Sequence, residues 1–287
     1  MSFARKLRHA HVWRRILYER LTEPLHLNLM SLPIAIMGGL RAKIAFDLIV
    51  RQHNAYSILA CADLARSMGI REITLLEFGV ASGAGLMNMC RIADAVTKLT
   101  GVRFDIYGFD TGVGMPPPKS YKDHPDLYQQ GDFPMDFARL RNTLPANCKL
   151  ILGELSETVG PFVASMRRES PIGFCVIDVD YYSSTCDALA VFEGAAECYL
   201  PRVLLYLDDV QEQSHNSWCG ERRAISEFNE VHEMRKAEAH PFLRASRLFR
   251  NASWIDHMMT LHVLDHPARA AVVPRERKVV LANPYLE

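Results

Sequence analysis

Short apolar runs that end at glycine or acidic residues alternate along this chain with stretches whose apolar residues recur every three or four positions. The first pattern predicts buried strands and the second predicts helices. Residues 73–76, 102–110, 149–152, 173–180 and 201–209 read as five strands, and 242–249 and 254–263 as two more. Helical spacing covers residues 86–99, 134–144, 157–168 and 221–235, and a further helix, capped by Ser183 or Ser184, runs to about Cys198. Upstream, Phe3, Leu7, Ala10, Trp13 and Leu17 predict an amphipathic helix over residues 2–20, and helical spacing returns over 40–68. Strands alternating with helices at this pitch predict an α/β fold, a mostly parallel seven-stranded sheet flanked by helices.

The strands share an ending. Glu77, Asp110, Asp178 with Asp180, and Asp208 with Asp209 close four of the five central strands, and Glu154 follows the remaining one behind Gly153. Ligands of open parallel sheets bind beyond the carboxyl ends of the strands, so these side chains should converge on one crevice. Carboxylates crowded there repel one another and need a positive partner. Asp178, Asp208 and Asp209 offer hard oxygen ligands from two neighbouring strands, which suits magnesium. Capping of the following helices is the alternative use of Asp180 or Asp209 taken singly.

The turn after residues 73–76 places Gly79, Gly83 and Gly85 within seven residues, with Glu77 before the first of them. A dinucleotide turn wants G-x-G-x-x-G and an acidic residue about 20 positions later. A carboxylate in front of the glycines suits an amino group better than a pyrophosphate, which favours S-adenosylmethionine over NAD. On this stretch alone, a βα turn of any α/β protein remains the alternative. Residues 111–133, with Pro116, Pro117, Pro118, Tyr121, His124 and Tyr128, are long for a βα connection and predict a lid or binding loop.

Composition narrows the partners. Of 287 residues, 49% are hydrophobic, and 33 basic against 33 acidic side chains give zero formal net charge, so no nucleic-acid partner is expected. Seven scattered cysteines without zinc-ligand spacing point to reduced thiols and a cytoplasmic location. The apolar residues 30–40 are broken by Pro33 and two glycines and are too short to span a bilayer. The basic N-terminal helix could touch an anionic surface, but its apolar stripe more readily packs on its own domain or on a second subunit, which is compatible with a homodimer.

With these residues placed, the chain resembles class I S-adenosylmethionine-dependent methyltransferases, and among them the macrocin O-methyltransferase family. The resemblance rests on EFGVASGAG at 77–85, GFDTG at 108–112 followed by MPPP at 115–118, DVDYYSST at 178–185 and YLDDV at 206–210. It implies a Rossmann-like methyltransferase fold, with residues 1–60 as a helical extension or cap and 61–287 as the methyltransferase domain. It implies that Glu77 and Gly79 contact the methionine end of S-adenosylmethionine, that Asp110 binds the ribose hydroxyls and that Glu154 lies near the adenine. Gly83, Thr111 and Asp178 complete the cofactor set. Asp178, Asp208 and Asp209 would hold magnesium, with Asp180 as general base toward a small-molecule hydroxyl, on a sugar or another natural product. Two departures stand out: the family commonly has glycine at Val179 and a small hydroxyl residue at Gly85.

His215 is a rival base, and Tyr181, Tyr182, Trp218 and Trp254 are candidates for the acceptor pocket. A methyltransferase without metal, a nicotinamide-dependent oxidoreductase and a non-catalytic binding module are the competing functions.

Overall fold

A computed structural model describes residues 16–211, 214–270 and 282. Its seven strands are β1 (Glu72–Phe78), β2 (Arg103–Asp110), β3 (Cys148–Leu152), β4 (Ile172–Ile177), β5 (Tyr199–Leu207), β6 (Arg235–Ala239) and β7 (Met258–Val263). They form one sheet in the order β3-β2-β1-β4-β5-β7-β6, with β7 antiparallel to both of its neighbours. Before β1 come α1 (Leu25–Met37), α2 (Leu40–Ala45) and α3 (Gln52–Ser67). The connections hold α4 (Ala84–Thr100), α5 (Phe137–Arg141), α6 (Leu155–Ser165), α7 (Tyr182–Leu189), α8 (Gly220–Val231), α9 (Leu243–Ser246) and, last, α10 (Pro267–Ala270).

Apolar residues fill both faces of the central strands, as a parallel sheet covered by helices requires. Ile73 and Leu75 face one core with Ile58, Leu86 and Met89 from α3 and α4. Leu76 and Phe78 face the other, with Phe162, Leu189 and Phe228 from α6, α7 and α8. Alternation along β1 therefore puts Glu77 on the α3 and α4 side.

The parallel strands end at one level. Phe78 pairs with Phe109 on β2 and with Ile177 on β4, Asp110 pairs with Leu152 on β3, and Ile177 pairs with Leu207 on β5. The chain leaves β1 toward β2 and β3, then returns to build β4 and β5 on the other side. This reversal opens the crevice between β1 and β4.

Several expected elements differ. Residues 242–249 are not a strand: Phe242 sits in the left-handed region at φ 60°, and only the single turn α9 follows. The helix expected over 221–235 ends at Val231, and its last expected residue, Arg235, opens the sixth strand, β6, whose Lys, Glu and Ala carry no strand propensity and are held by pairing with β7 at the sheet edge. Residues 253–257 form a 3₁₀ turn before β7. The helix expected to reach Cys198 stops at Leu189 and continues as two short 3₁₀ turns. Residues 40–68 are two helices, because Asp47 and Arg51 both adopt positive φ between α2 and α3. Of the helix expected over 2–20, residues 2–15 lie outside the described residues and Ile16–Arg20 form a π-helical turn.

The break at Asp47 is fixed by a buried ion pair. Arg247 donates to Asp47 Oδ1 at 2.6 Å and to the carbonyls of Ile44 and Ala45, and the Trp254 indole donates to Asp47 Oδ2 at 3.4 Å. Among the described residues no helix is long and apolar enough to cross a membrane.

Removing one partner of such a pair leaves the other charge buried alone. Asp47→Ala should cost about 3–5 kcal/mol in urea unfolding; a loss below about 1 kcal/mol would mean that the pair does not hold the N-terminal helices to the sheet domain.

Candidate functional site

The turn after β1 fits only the glycines it has. At Gly79, φ 83°, a Cβ would lie 1.7 Å from the Asp178 carbonyl oxygen, so the two strand ends touch through bare backbone. Gly83, φ 79°, starts α4, and the Leu140 side chain of α5 packs directly on it. A Cβ at Gly85 would lie 2.0 Å from Glu77 Oε1, so this glycine makes room for the carboxyl group. The sequence reading had given Gly85 little weight.

Glu77 is 3% exposed, and its Oε2 has no hydrogen-bond partner. Burial pushes its pKa well above the usual carboxylate range. The Arg51 guanidinium opposes the rise, and Asp178 and Asp110 add to it.

Asp110 is the opposite case. Its Oδ2 accepts from the amides of Val80 (2.9 Å) and Ala81 (2.8 Å), and its Oδ1 accepts from Gly112 (2.7 Å). The residue expected to bind ribose therefore also ties β2 to the glycine turn. Thr111 donates to the Gly114 carbonyl at 2.5 Å, and Glu154 stands at the start of α6.

Asp178 and Asp208 carry the sheet one residue further: their amides donate to Phe78 O at 2.9 Å and to Ile177 O at 3.1 Å. Burial and then the neighbouring Asp208, Asp209 and Asp180 push the Asp178 carboxyl well above its ordinary range. Asp180, φ 57°, hydrogen-bonds Tyr128 and Asp209, and burial pushes it up to about 6. The Asp209 amide donates to buried Glu221 at 2.9 Å. Burial and Asp209 raise Glu221 in turn.

These groups surround a cavity of ≈ 340 Å³. Glu77, Gly79, Asp110, Thr111, Glu154, Asp178, Asp180 and Asp208 line it; Gly83 and Asp209 do not. Among the described residues, no three His, Cys, Asp or Glu side chains are arranged to hold a metal ion. The hard oxygens of Asp178, Asp180 and Asp208 fit a divalent cation in donor chemistry and in their shared excess of charge, but they do not form a ready coordination shell.

None of the expected aromatic residues lines the cavity. Trp254 is in the core beside Asp47, Tyr182 donates to Glu227, Tyr181 is fully buried and Trp218 is 71% exposed. Met115, Pro116, Phe133 and Val179 supply the apolar wall instead. His215 lies outside it, with Nε2 3.3 Å from the Tyr128 hydroxyl and its ring stacked on His124 at 4.4 Å.

Sequence reasoning missed Arg51, Asp123, Asp132 and Asp187. Asp123 corrects the expected cap of α7: neither Ser183 nor Ser184 caps it, and the buried Asp123 carboxyl accepts from the Ser183 amide at 2.8 Å as well as from Lys119 at 2.7 Å. The signal available for Asp123 was its place three residues after Ser120, a capping box. Arg51 carries no motif and lies inside the stretch over 40–68 that reads only as helical cover.

No protein-family model and no curated protein sequence matches this chain. Solved structures do. The crystal structure of CalS11, a calicheamicin methyltransferase, is 18% identical, with 84% of this chain and 90% of that chain covered and a TM-score of 0.50. The MycE methyltransferase from the mycinamycin biosynthetic pathway, in complex with Mg, SAH and mycinamycin VI, is 13% identical over 74% of this chain and 50% of that one, with a TM-score of 0.36. A CmcI structure with Mg and SAM is 17% identical over 71% of this chain and 70% of that one, with a TM-score of 0.35. At such identities the likeness to CalS11 establishes the fold. The chain has the class I methyltransferase fold, a seven-stranded mixed sheet with β7 antiparallel and helices before β1.

Asp180 makes stability depend on pH. An unfolded aspartate ionises near about 3.9, whereas the folded one keeps its proton to about 6. The folded state holds the extra proton, so this contribution is complete below about pH 4 and is lost as pH rises through about 6. The urea midpoint should fall between about pH 4 and pH 6, and Asp180→Asn should flatten that part of the profile. Equal slopes for both proteins would exclude Asp180 as the source.

Proposed function

We propose that this chain transfers a methyl group from S-adenosylmethionine to a hydroxyl group of a small molecule, a sugar or another natural-product acceptor. The observation that carries the reading is Glu77: a buried carboxyl with an unpartnered oxygen, at the switch point of a class I methyltransferase sheet, facing a cavity lined by carboxylates. That oxygen would accept from the ammonium of the donor's methionine end. NAD has no cationic amine to offer there and brings a pyrophosphate toward acids.

The donor supplies the methyl group on a sulfonium. Glu77 and the backbone around Gly79 hold its amino-acid end, Asp110 and Thr111 the ribose, and Glu154 the adenine side. Transfer is an in-line displacement, so positioning of the acceptor oxygen accounts for most of the acceleration, about 7–11 kcal/mol at best. Asp180 receives the hydroxyl proton, worth roughly 10²–10⁴-fold. Its pKa of about 6 leaves it ionised at neutral pH and able to accept.

Asp178 and Asp208, with Asp209 behind them, are the residues that would hold magnesium, which would lower the pKa of an acceptor hydroxyl. The division into a helical extension or cap over 1–60 and a methyltransferase domain over 61–287 is part of this reading, and α1 and α2, which precede α3 and β1, support it. The exposed, uncharged face of α1, with Leu25, Leu29, Leu32 and Ile36, supports a homodimer. The motif order supports kinship with the macrocin O-methyltransferases.

Calorimetric titration tests the reading. S-adenosylhomocysteine should bind, NAD should not, and magnesium should give a separate heat that Asp208→Ala removes. Binding of NAD alone, or of neither compound, overturns the methyltransferase assignment; loss of only the magnesium heat in the wild type leaves a metal-independent enzyme.

Gly85→Ala should fold, since its clash is with the movable tip of Glu77. Displacing that carboxylate should weaken S-adenosylhomocysteine at least about tenfold. Unchanged affinity would remove Glu77 from the cofactor site.

A further inference from the structure

Among the described residues, every charged side chain lining the cavity is a carboxylate except Arg51. It stands at the first residue before α3, in the left-handed region at φ 55° and ψ 70°. A non-glycine residue held there is strained, and such strain persists where surrounding structure requires it. Here the requirement comes from Asp47, whose buried pair with Arg247 fixes the break between α2 and α3 and so fixes where Arg51 emerges.

Three further facts bear on what Arg51 does there. Its side chain makes no hydrogen bond or ion pair with any described residue, although acids surround the cavity. Its charge reaches Glu77 and Asp178, since it opposes the upward push on both carboxyls. It also lies on the α4 side of the crevice, where Ala84 and Gly85 complete the wall beside Glu77.

The amino-acid end of S-adenosylmethionine is a zwitterion, with an ammonium and a carboxylate on the same carbon. A pocket that recognised the ammonium with Glu77 and offered only acids elsewhere would repel the carboxylate. One cation beside Glu77 resolves this. Accepting the cofactor reading on which it rests, we propose that Arg51 binds the carboxylate of the donor's methionine end, forming with Glu77 a two-charge clamp for an α-amino acid.

The clamp explains two features together. It gives a reason for a strained arginine in front of a helix, where propensity alone calls for Ser, Thr, Asp or Asn. It also explains how a cavity so rich in acids accepts a ligand carrying its own carboxylate.

Two probes separate the clamp from the rest of the site: S-adenosylhomocysteine, which has the amino-acid end, and 5′-methylthioadenosine, which keeps the adenosine and thioether without it. Both are titrated calorimetrically into the full-length wild type, Arg51→Gln and Arg51→Lys, with circular dichroism melts confirming that each variant is folded. Arg51→Gln should weaken S-adenosylhomocysteine about 10- to 100-fold, the loss expected for a charged hydrogen-bonded contact, and leave 5′-methylthioadenosine within about twofold. Arg51→Lys should recover part of the loss, because it keeps the charge without the fork geometry.

Equal weakening of both probes by Arg51→Gln, or no weakening of either, overturns the clamp while the cofactor reading stands on wild-type binding. A wild type that binds neither probe overturns both. An Arg51→Gln protein that no longer melts cooperatively transfers the decision to Arg51→Lys, whose selective loss of S-adenosylhomocysteine supports the clamp and whose equal loss of both probes rejects it.

Discussion

The level ending of the parallel strands is the constraint on which the rest depends. Because Phe109, Phe78, Ile177 and Leu207 pair across neighbouring strands at one height, whatever follows them emerges together. In this chain acids follow, or in Glu77 just precede, each of those positions. Two unit charges 4 Å apart interact by about 4 kcal/mol at an effective dielectric of 20, so such a row cannot simply remain ionised and buried. The molecule handles each member differently. Asp110 is satisfied by three backbone amides, Glu77 and Asp178 are pushed toward protonation by burial, and Arg51 supplies the one opposing charge among the described residues of the cavity wall. The groups left unsatisfied, not the satisfied ones, define where a ligand is needed.

The same logic gives the long connection over residues 111–133 a definite shape. Met115 and the 131–132 stretch pair through two backbone hydrogen bonds, Met115 to Asp132 at 2.8 Å and Gly131 to Met115 at 2.9 Å. Its middle is pinned twice. Asp123 takes the Ser183 amide at the start of α7, and Lys122 meets Glu227 of α8 at 2.9 Å while its ammonium lies 4.4 Å from the Tyr182 ring centre. The Tyr182 hydroxyl, then Lys122 and Arg223, donate to Glu227 and hold that carboxyl down at about 2. The segment is therefore a wall built onto α7 and α8, and through Tyr128 it reaches the Asp180 carboxyl.

Sheet, switch point and the acidic strand ends were legible because they rest on periodicity and on residues adjacent in sequence to strong apolar runs. Glu77, Asp110, Asp178 and Asp208 are read correctly as neighbours for that reason. What was not legible depends on contacts distant in sequence. Arg51 is positioned by Asp47, which is itself held by Arg247, 200 residues away. Asp123 caps a helix 60 residues later, so serines at the helix start drew the attention that belonged to it. β6 was hidden because Lys, Glu and Ala favour helices, and only an available edge on β7 makes them a strand. Gly85 was underrated because its role is to be absent from the space Glu77 occupies, which no spacing rule records.

Val179 offers a final consequence. The family resemblance calls for glycine between the two aspartates, a residue that would allow this turn many conformations. Here the valine lines the cavity and packs with the core below α7, and its carbonyl accepts from the Tyr181 amide at 2.5 Å. A branched side chain fixed in this way cannot absorb the turn, so the positive φ falls on the next residue, Asp180. Aspartate tolerates that region better than most residues, at a cost the Tyr128 and Asp209 hydrogen bonds offset. The turn is thus held by the valine, and the strain sits on the carboxyl proposed to receive the acceptor's proton. Under the proposed function, a carboxyl held this way would meet an acceptor without first losing conformational entropy, and the valine side chain would restrict the acceptors that fit by filling space a glycine would leave open.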